Sequence, residues 1–163
     1  MADPREAAQR LDTLWIAPAL ESARHDARLR SARLLHRSPE EPAQRLFSAM
    51  QAASYVRPHR HRDEDKAETL IAVRGRFLAL VFDDRGEVFE AALLRAGGDA
   101  FGFHFPAGVW HGLVALEDGS VFFEVKSGPW RGPADVEFAP WAPEEGSREA
   151  AVFLERLRTQ FQD

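Results

Sequence analysis

The chain contains no cysteine, and this absence excludes several kinds of chemistry. Disulfide bonds, thiolate metal sites and cysteine nucleophiles are all ruled out. A chain without disulfides suits a reducing compartment, and we therefore expect a cytoplasmic protein. The first six residues carry charges and a proline where a secretory signal would carry an apolar core, so export by that route is not expected.

The sequence also lacks the signatures of several common function classes. No apolar run approaches the ~20 residues of a membrane span. There is no GxSxG nucleophile elbow, no GxGxxG motif and no P-loop. The net charge of -5 indicates no general attraction to nucleic acid. We therefore expect no membrane association, no nucleic-acid partner and no nucleotide bound through those motifs.

What is present fits one globular domain of 163 residues, with ordinary apolar (45%) and charged (29%) content. We predict a helical amino-terminal extension over 1–37, a β-barrel with its closing loop over 38–146, and a carboxy-terminal helix over 147–163. Pro18 is expected to open a second helix that runs to about Leu29. The segment 39–50 is ambiguous, and we favour a strand because β structure follows it.

The region from Tyr55 to Lys126 consists of short runs rich in Val, Phe, Leu and Ile, separated by turn residues. This pattern predicts a mainly β fold, either a sandwich or a small barrel. The predicted strands lie near 54–61, 68–74, 76–83, 87–95, 100–105, 111–116 and 120–126.

One constellation carries chemistry. Alternate residues of a strand share a face, so His59 and His61 are expected to point the same way. Glu68 follows them, and His111 lies much further along the chain. Three imidazoles and one carboxylate suit a divalent transition metal: Fe, Mn, Ni, Co or Zn.

These residues also carry a family resemblance. His59-x-His61, Glu68 and Gly75 match the first cupin motif, and the run 106–111, PAGVWH, matches the second. The chain resembles the cupins, and more closely the WbuC-type cupin-fold metalloproteins, over roughly residues 28–146. The resemblance implies a jelly-roll (double-stranded β-helix) barrel flanked by amino- and carboxy-terminal helices. It also implies the metal ligands His59, His61, Glu68 and His111.

Two positions depart from the family pattern. Six residues (62–67) separate His61 from Glu68, where cupins usually have three or four, and we expect the longer loop to bulge outward. Ala115 stands where an asparagine is often found, but that position is not a ligand.

Strand parity extends the predicted site. Tyr55 and Arg57 share a face with the two histidines, and in a cupin that face lines the barrel. Arg57 would grip a carboxylate or phosphate, or pair with a protein carboxylate. Tyr55 would donate a hydrogen bond or carry a proton, or would only pack. Glu124 is either a pocket acid or a partner in a salt bridge at the rim.

Other residues have open roles. Phe101, Phe103 and Phe105 are expected to form an aromatic wall, with His104 facing away from it. His36 belongs to the segment before the barrel and would approach a site only across a dimer. The basic segment 22–37 is either a solvated helical face or a patch for an anion or a neighbouring subunit.

Three functions are compatible with this site. The first is a metal-dependent isomerase or epimerase for a small polar metabolite or sugar, which could be anionic. The WbuC-type resemblance would link this activity to surface polysaccharide. The second is an Fe(II)-dependent dioxygenase, and the third is a non-catalytic module that binds a metal or ligand. Since cupins commonly pair, the resemblance also implies a homodimer.

Overall fold

Two antiparallel five-stranded sheets form the body of the protein in the computed structural model, which describes residues 8–63 and 66–161. The strand order is β1-β2-β9-β4-β7 in one sheet and β10-β3-β8-β5-β6 in the other. The predicted mainly β jelly-roll barrel is therefore confirmed. The strands are β1 Arg30–Leu34, β2 Ala43–Met50, β3 His59–Arg60, β4 Glu68–Arg74, β5 Arg76–Phe82, β6 Val88–Arg95, β7 Gly102–Phe105, β8 Trp110–Ala115, β9 Ser120–Ser127 and β10 Glu137–Phe138.

One helix covers the outer face of each sheet. Helix α1, Thr13–His25, begins where the Asp12 carboxylate accepts the Trp15 N–H at 2.9 Å. Helix α2, Arg148–Gln160, begins where the Ser147 hydroxyl accepts the Ala150 N–H at 3.1 Å, as its sequence predicts. Among the described residues, neither helix is long and apolar enough to cross a membrane.

The apolar core has an inner part between the sheets and two outer parts under the helices. The alternating burial of β4 sends Glu68, Leu70 and Ala72 to the inside, as parity predicts. Strand β8 is buried along its whole length, because one face meets the barrel interior and the other meets α2. The site strand β8 is therefore held on both sides by packed side chains.

The amino-terminal prediction was partly wrong. Pro18 does not open a helix but lies inside α1, which starts at Thr13 and buries Trp15, Ile16, Ala19 and Ala23. Packing of this apolar face outweighs the backbone hydrogen bond that a proline cannot donate. The helix ends at His25, before the predicted end near Leu29, and Leu29 adopts a left-handed φ of 57°. The strand favoured for 39–50 is confirmed as β2, whereas β1 was not predicted.

Gly75, the last residue of the first motif, lies in close contact with Ser120, and this contact can be tested by substitution. Its φ is +75°, and a Cβ there would lie 2.3 Å from Ser120 Oγ and 3.1 Å from Ser120 Cα. We expect Gly75→Ala to lower the free energy of unfolding by about 2–5 kcal/mol, because a left-handed residue costs ~1–2 kcal/mol and overpacking ~1–3 kcal/mol. Urea unfolding measures the change.

Gly97→Ala is the matched control. Gly97 also has a positive φ, +69°, but nothing lies within 4 Å of a Cβ built there. Only the backbone cost of about 1–2 kcal/mol is then expected. Equal losses in the two variants would contradict the role assigned to the contact with Ser120.

Candidate metal centre

The four predicted ligands meet inside the barrel, and strands from both sheets position them. His59 lies on β3 and is paired with His111 on the neighbouring β8. His61 follows β3 directly, and its carbonyl accepts the Gly108 N–H at 2.7 Å, which joins the two motifs. Glu68 opens β4 in the opposite sheet. One potential ligand atom from each of these residues lies within 4.8 Å of the others.

Main-chain carbonyls orient all three imidazoles. The Nδ1 atoms of His59, His61 and His111 lie 3.0, 3.0 and 2.9 Å from the carbonyl oxygens of Arg57, Asp135 and Val109, respectively. A carbonyl only accepts, so each Nδ1 carries the proton and donates it. Each Nε2 is therefore left to face the centre of the cluster, as metal-binding histidines commonly do.

The donor set fits a divalent transition metal. His111 Nε2 is buried and has no hydrogen-bond partner among the described residues, which is costly for a polar atom unless something else occupies its lone pair. Burial, followed by the neighbouring His111, lowers the pKa of His59 to about 3. Burial also lowers the pKa of His111. These two imidazoles are therefore neutral at physiological pH, as metal ligands must be.

His61 and Glu68 form a buried pair, with His61 Nε2 lying 3.1 Å from Glu68 Oε2. Burial alone would lower the pKa of His61, but the hydrogen bond and charge of Glu68 outweigh it, and the net shift is upward. Burial likewise opposes ionisation of Glu68, yet the hydrogen bond from His61 and the nearby cations hold the pKa of that carboxyl below its usual range. Both shifts favour the pair of a His61 imidazolium and a Glu68 carboxylate.

A metal ion binding at this centre should displace that proton. His61 Nε2 can offer a lone pair only after deprotonation, so at about pH 6, below the ordinary His pKa of ~6.5, we expect about one proton released per Zn(II) bound. Below the raised pKa of His61, metal affinity should fall about tenfold per pH unit as the pH is lowered. Titration calorimetry in buffers of different ionisation enthalpy measures the release, and a value of zero at this pH would contradict the ionised pair.

A cavity of about 600 Å³ opens onto the cluster through His59. Its lining combines apolar side chains, such as Met50 and Phe122, with the charged groups of Arg57, Glu124 and Lys126. Pockets for small metabolites have this composition, an apolar surface with a few placed polar groups.

Arg57 lies on this cavity wall, as parity predicts. Its Nη2 donates a long 3.3 Å hydrogen bond to the Ala139 carbonyl, and its guanidinium lies 5.3 Å from the Phe138 ring centre. Its Nε is buried without a hydrogen-bond partner among the described residues. A guanidinium that makes one long side-chain hydrogen bond within the described residues therefore lines the cavity.

Glu124 lines the same cavity and is only 8% exposed. Its Oε1 lies 2.8 Å from Lys126 Nζ, and the two groups form an ion pair in which both are largely buried. Burial, reinforced by the charge of Glu68, raises the pKa of Glu124 even though Lys126 opposes the shift. Lys126 was not predicted as a site residue, although its parity with Glu124 on β9 was a usable signal.

Tyr55 does not line the cavity, contrary to the expectation from strand parity. The assumed strand 54–61 is regular only at His59–Arg60, so alternation does not carry back to Tyr55. Its ring packs edge-on against Phe153 of α2, with ring centres 6.1 Å apart, and its hydroxyl donates to the Pro143 carbonyl at 3.0 Å. Burial raises the pKa of this phenol, which makes it a poor proton carrier.

The other candidates lie outside the cluster. Phe103 and Phe105 face the barrel interior, and Phe105 stacks on His111 at 4.4 Å, but Phe101 is exposed, so the predicted wall has two members. His104 faces away from them and contacts Thr69, as expected. His36 Nδ1 lies 3.0 Å from the main-chain N and O of Arg45.

The basic segment 22–37 is not a single helical face. It passes from α1 through a turn into β1, and its arginines have separate partners. Arg30 binds Glu145 at 2.6 Å beside the cavity, whereas the Arg33 guanidinium lies over Trp15 at 4.4 Å.

Comparison with known proteins gives a family match and a fold match. The family model described as Domain of unknown function (DUF6016) matches residues 11–94, just over half of the chain. No curated protein matches. Solved structures that match include KdgF from Halomonas sp., with 22% identity over 64% of this chain and 83% of that chain, at a TM-score of 0.49.

Two further structures resemble the chain more closely in shape. They are oxalate decarboxylase from Bacillus subtilis (19% identity, 67% of this chain, TM-score 0.51) and the capsular polysaccharide assembling protein CapF from Staphylococcus aureus (16% identity, 66% of this chain, TM-score 0.53). The chain spans only 27% and 29% of their lengths. These are cupin-fold proteins, and at such identities the likeness establishes the cupin fold alone.

Proposed function

The chain belongs to the family described as Domain of unknown function (DUF6016), so its activity has to be argued from the site, and we propose that it is a metal-dependent enzyme acting on a small polar metabolite. The observation that carries the proposal is the set of three imidazoles whose Nδ1 protons are engaged by carbonyls, so that Nε2 atoms converge with Glu68. We propose His59, His61, Glu68 and His111 as the ligands of one divalent transition metal.

We propose that the substrate carries an anionic group. The wall beside His59 presents the Arg57 guanidinium, whose Nε is unpartnered, and the Lys126 ammonium. A bound divalent ion with Glu68 as its single carboxylate ligand leaves a net positive centre, and this also favours an anion. The sugar and surface-polysaccharide part of the proposal rests on the WbuC-type resemblance of the motifs.

The reaction class that we propose is isomerisation or epimerisation through proton abstraction beside a carbonyl. Arg57 would hold the anionic group and fix the substrate against the wall. Glu124, buried and with a raised pKa, would take the proton from carbon and return it to the neighbouring carbon, which completes an isomerisation, whereas an epimerisation would need a second acid on the opposite face. When bound, the metal would supply Lewis acidity that stabilises negative charge on an oxygen.

The dioxygenase alternative loses the feature that favoured it. That feature was the predicted wall of Phe101, Phe103 and Phe105, and none of the three lines the cavity, whose aromatic side chains are Phe122 and Phe138. The alternative that the experiments below must distinguish from an enzyme is a non-catalytic binding module.

Two measurements test the proposal in order. Metal content is determined after reconstitution with Fe(II), Mn(II), Co(II), Ni(II) and Zn(II). The loaded protein is then incubated in D2O with ketoses, aldoses and keto acids, with and without phosphate groups, and loss of C–H signals is followed by NMR. Failure to bind any metal would refute the enzyme proposal, and metal binding without exchange of any substrate would leave a binding module.

A further inference from the structure

The segment 129–137, which we call the cover segment, lies against the chain stretch that carries His59 and His61. Glu137 and Phe138 pair with Arg60 and His59 as adjacent strands. Ion pairs add to this pairing: Arg60 contacts Glu137 at 2.6 Å, and Arg131 contacts Asp63 at 3.0 Å. The cover segment and the histidine strand are thus joined along their length.

Most of these contacts are partly exposed, but one is deeply buried. Lys66 is 5% exposed, and its ammonium donates to Asp135 Oδ2 at 3.0 Å and to the Pro129 carbonyl. Burying an ammonium is costly unless it is paired and hydrogen bonded. Lys66 is both, and its two acceptors lie at the two ends of the turn 129–135.

Asp135 connects this lysine to the metal centre. Its carboxylate also accepts the Arg131 N–H at 2.6 Å, which holds the short 3-10 helix Gly132–Asp135 in place. Its main-chain carbonyl accepts the His61 Nδ1 proton at 3.0 Å. One residue therefore joins the buried ammonium on one side and the imidazole of a proposed ligand on the other.

Lys66 lies in the chain between two of the proposed metal ligands, so its contact with Asp135 bears on the metal centre. It lies in the six-residue spacer between His61 and Glu68, which is longer than the usual cupin spacer. The expected outward bulge falls partly on residues 64 and 65, which lie outside the described residues, but the described Lys66 turns inward and anchors the cover segment. Accordingly, the carbonyl that orients His61 is fixed by a residue from the spacer itself.

We propose that Lys66 and Asp135 are positioning residues that set the orientation and tautomer of His61. The inference rests on the proposed metal-binding function. A partner that orients a ligand histidine typically contributes about 10–100-fold to metal affinity.

Lys66→Met tests the proposal, because methionine keeps length and volume but cannot donate to Asp135. Co(II) affinity, measured by chelator competition, should fall about 10–100-fold, and the Co(II) absorption spectrum should change as the His61 ring reorients. Arg131→Ala is the matched control, since it removes the exposed contact with Asp63 but keeps the Arg131 N–H. Its affinity should stay within about twofold of the wild type.

A measurement on the wild-type protein tests the same linkage without a variant that must fold. If the cover segment positions His61, Zn(II) binding must in turn stabilise the segment. Amide hydrogen exchange over 129–137 should therefore slow on Zn(II) addition, while the turn at Gly97–Gly98 should not change. Unchanged exchange over 129–137, or a Lys66→Met protein with wild-type affinity and spectrum, would overturn the inference. A wild-type protein that binds no metal would instead refute the proposed function.

Discussion

Replacing His111 by alanine is expected to lower metal affinity by about a hundredfold to a thousandfold while leaving the barrel folded. Four-ligand zinc sites bind with on the order of 10–16 kcal/mol, so one ligand accounts for roughly 3 kcal/mol or somewhat more. His111 is the proposed ligand whose Nε2 is buried without a hydrogen-bond partner among the described residues, so a bound metal is the contact expected at that atom. Chelator competition with Co(II) or Zn(II) measures the loss.

The barrel should remain folded after this change, because the other side chains of β8 provide most of the apolar burial of the strand. Trp110, Leu113, Val114 and Ala115 keep both faces of the strand packed. His104→Ala is the control: this histidine is exposed, its ring nitrogen contacts Thr69, and its replacement should leave affinity unchanged. A wild-type metal affinity in His111→Ala, with circular dichroism unchanged, would refute the ligand assignment.

Much of the barrel could be predicted from the sequence because its strands are short, apolar and bounded by clear turns. The predicted segments 68–74 and 76–83 correspond to β4 and β5 almost residue for residue. Pro18 misled the prediction, since local propensity favours a helix start there, but burial of Trp15 and Ile16 under α1 decides the outcome. Tertiary packing is not readable from one segment.

The four clustered residues were also predictable, since the two motifs specify residue type and spacing. Parity correctly brought His59 and His61 into one cluster and Arg57 to the cavity wall. It failed at Tyr55, where the regular strand has not yet begun and the ring instead packs against α2.

The partners that orient the histidines could not be predicted. Asp135 follows His61 by 74 positions and acts through its main-chain carbonyl, which every residue possesses. Lys66 looks like one more charge in a polar loop, and only the fold reveals that its ammonium is buried. The residue types of the two motifs therefore predict which side chains cluster. The path of the cover segment determines which carbonyl orients His61, and this path cannot be predicted from the motifs.

Glu124 is the residue on which the proposed reaction depends most. Its carboxylate is buried, lines the cavity and is paired with the Lys126 ammonium at 2.8 Å. Its raised pKa, due to burial and to the charge of Glu68, makes it a stronger base than an ordinary glutamate. Positioned bases of this kind contribute about 10²–10⁴-fold to the rate of proton transfer.

Glu124→Gln is therefore expected to slow substrate C–H exchange in D2O by about 10²–10⁴-fold, because the amide keeps the volume of the side chain but cannot accept the proton. Metal affinity should change little, since Glu124 is not one of the four clustered residues. Glu145→Gln is the matched control: this carboxylate lines the same cavity but is bound to Arg30 at 2.6 Å, so its loss should change exchange only a few-fold. Wild-type exchange in metal-loaded Glu124→Gln would remove Glu124 from the reaction and leave the base to be sought elsewhere on the cavity wall.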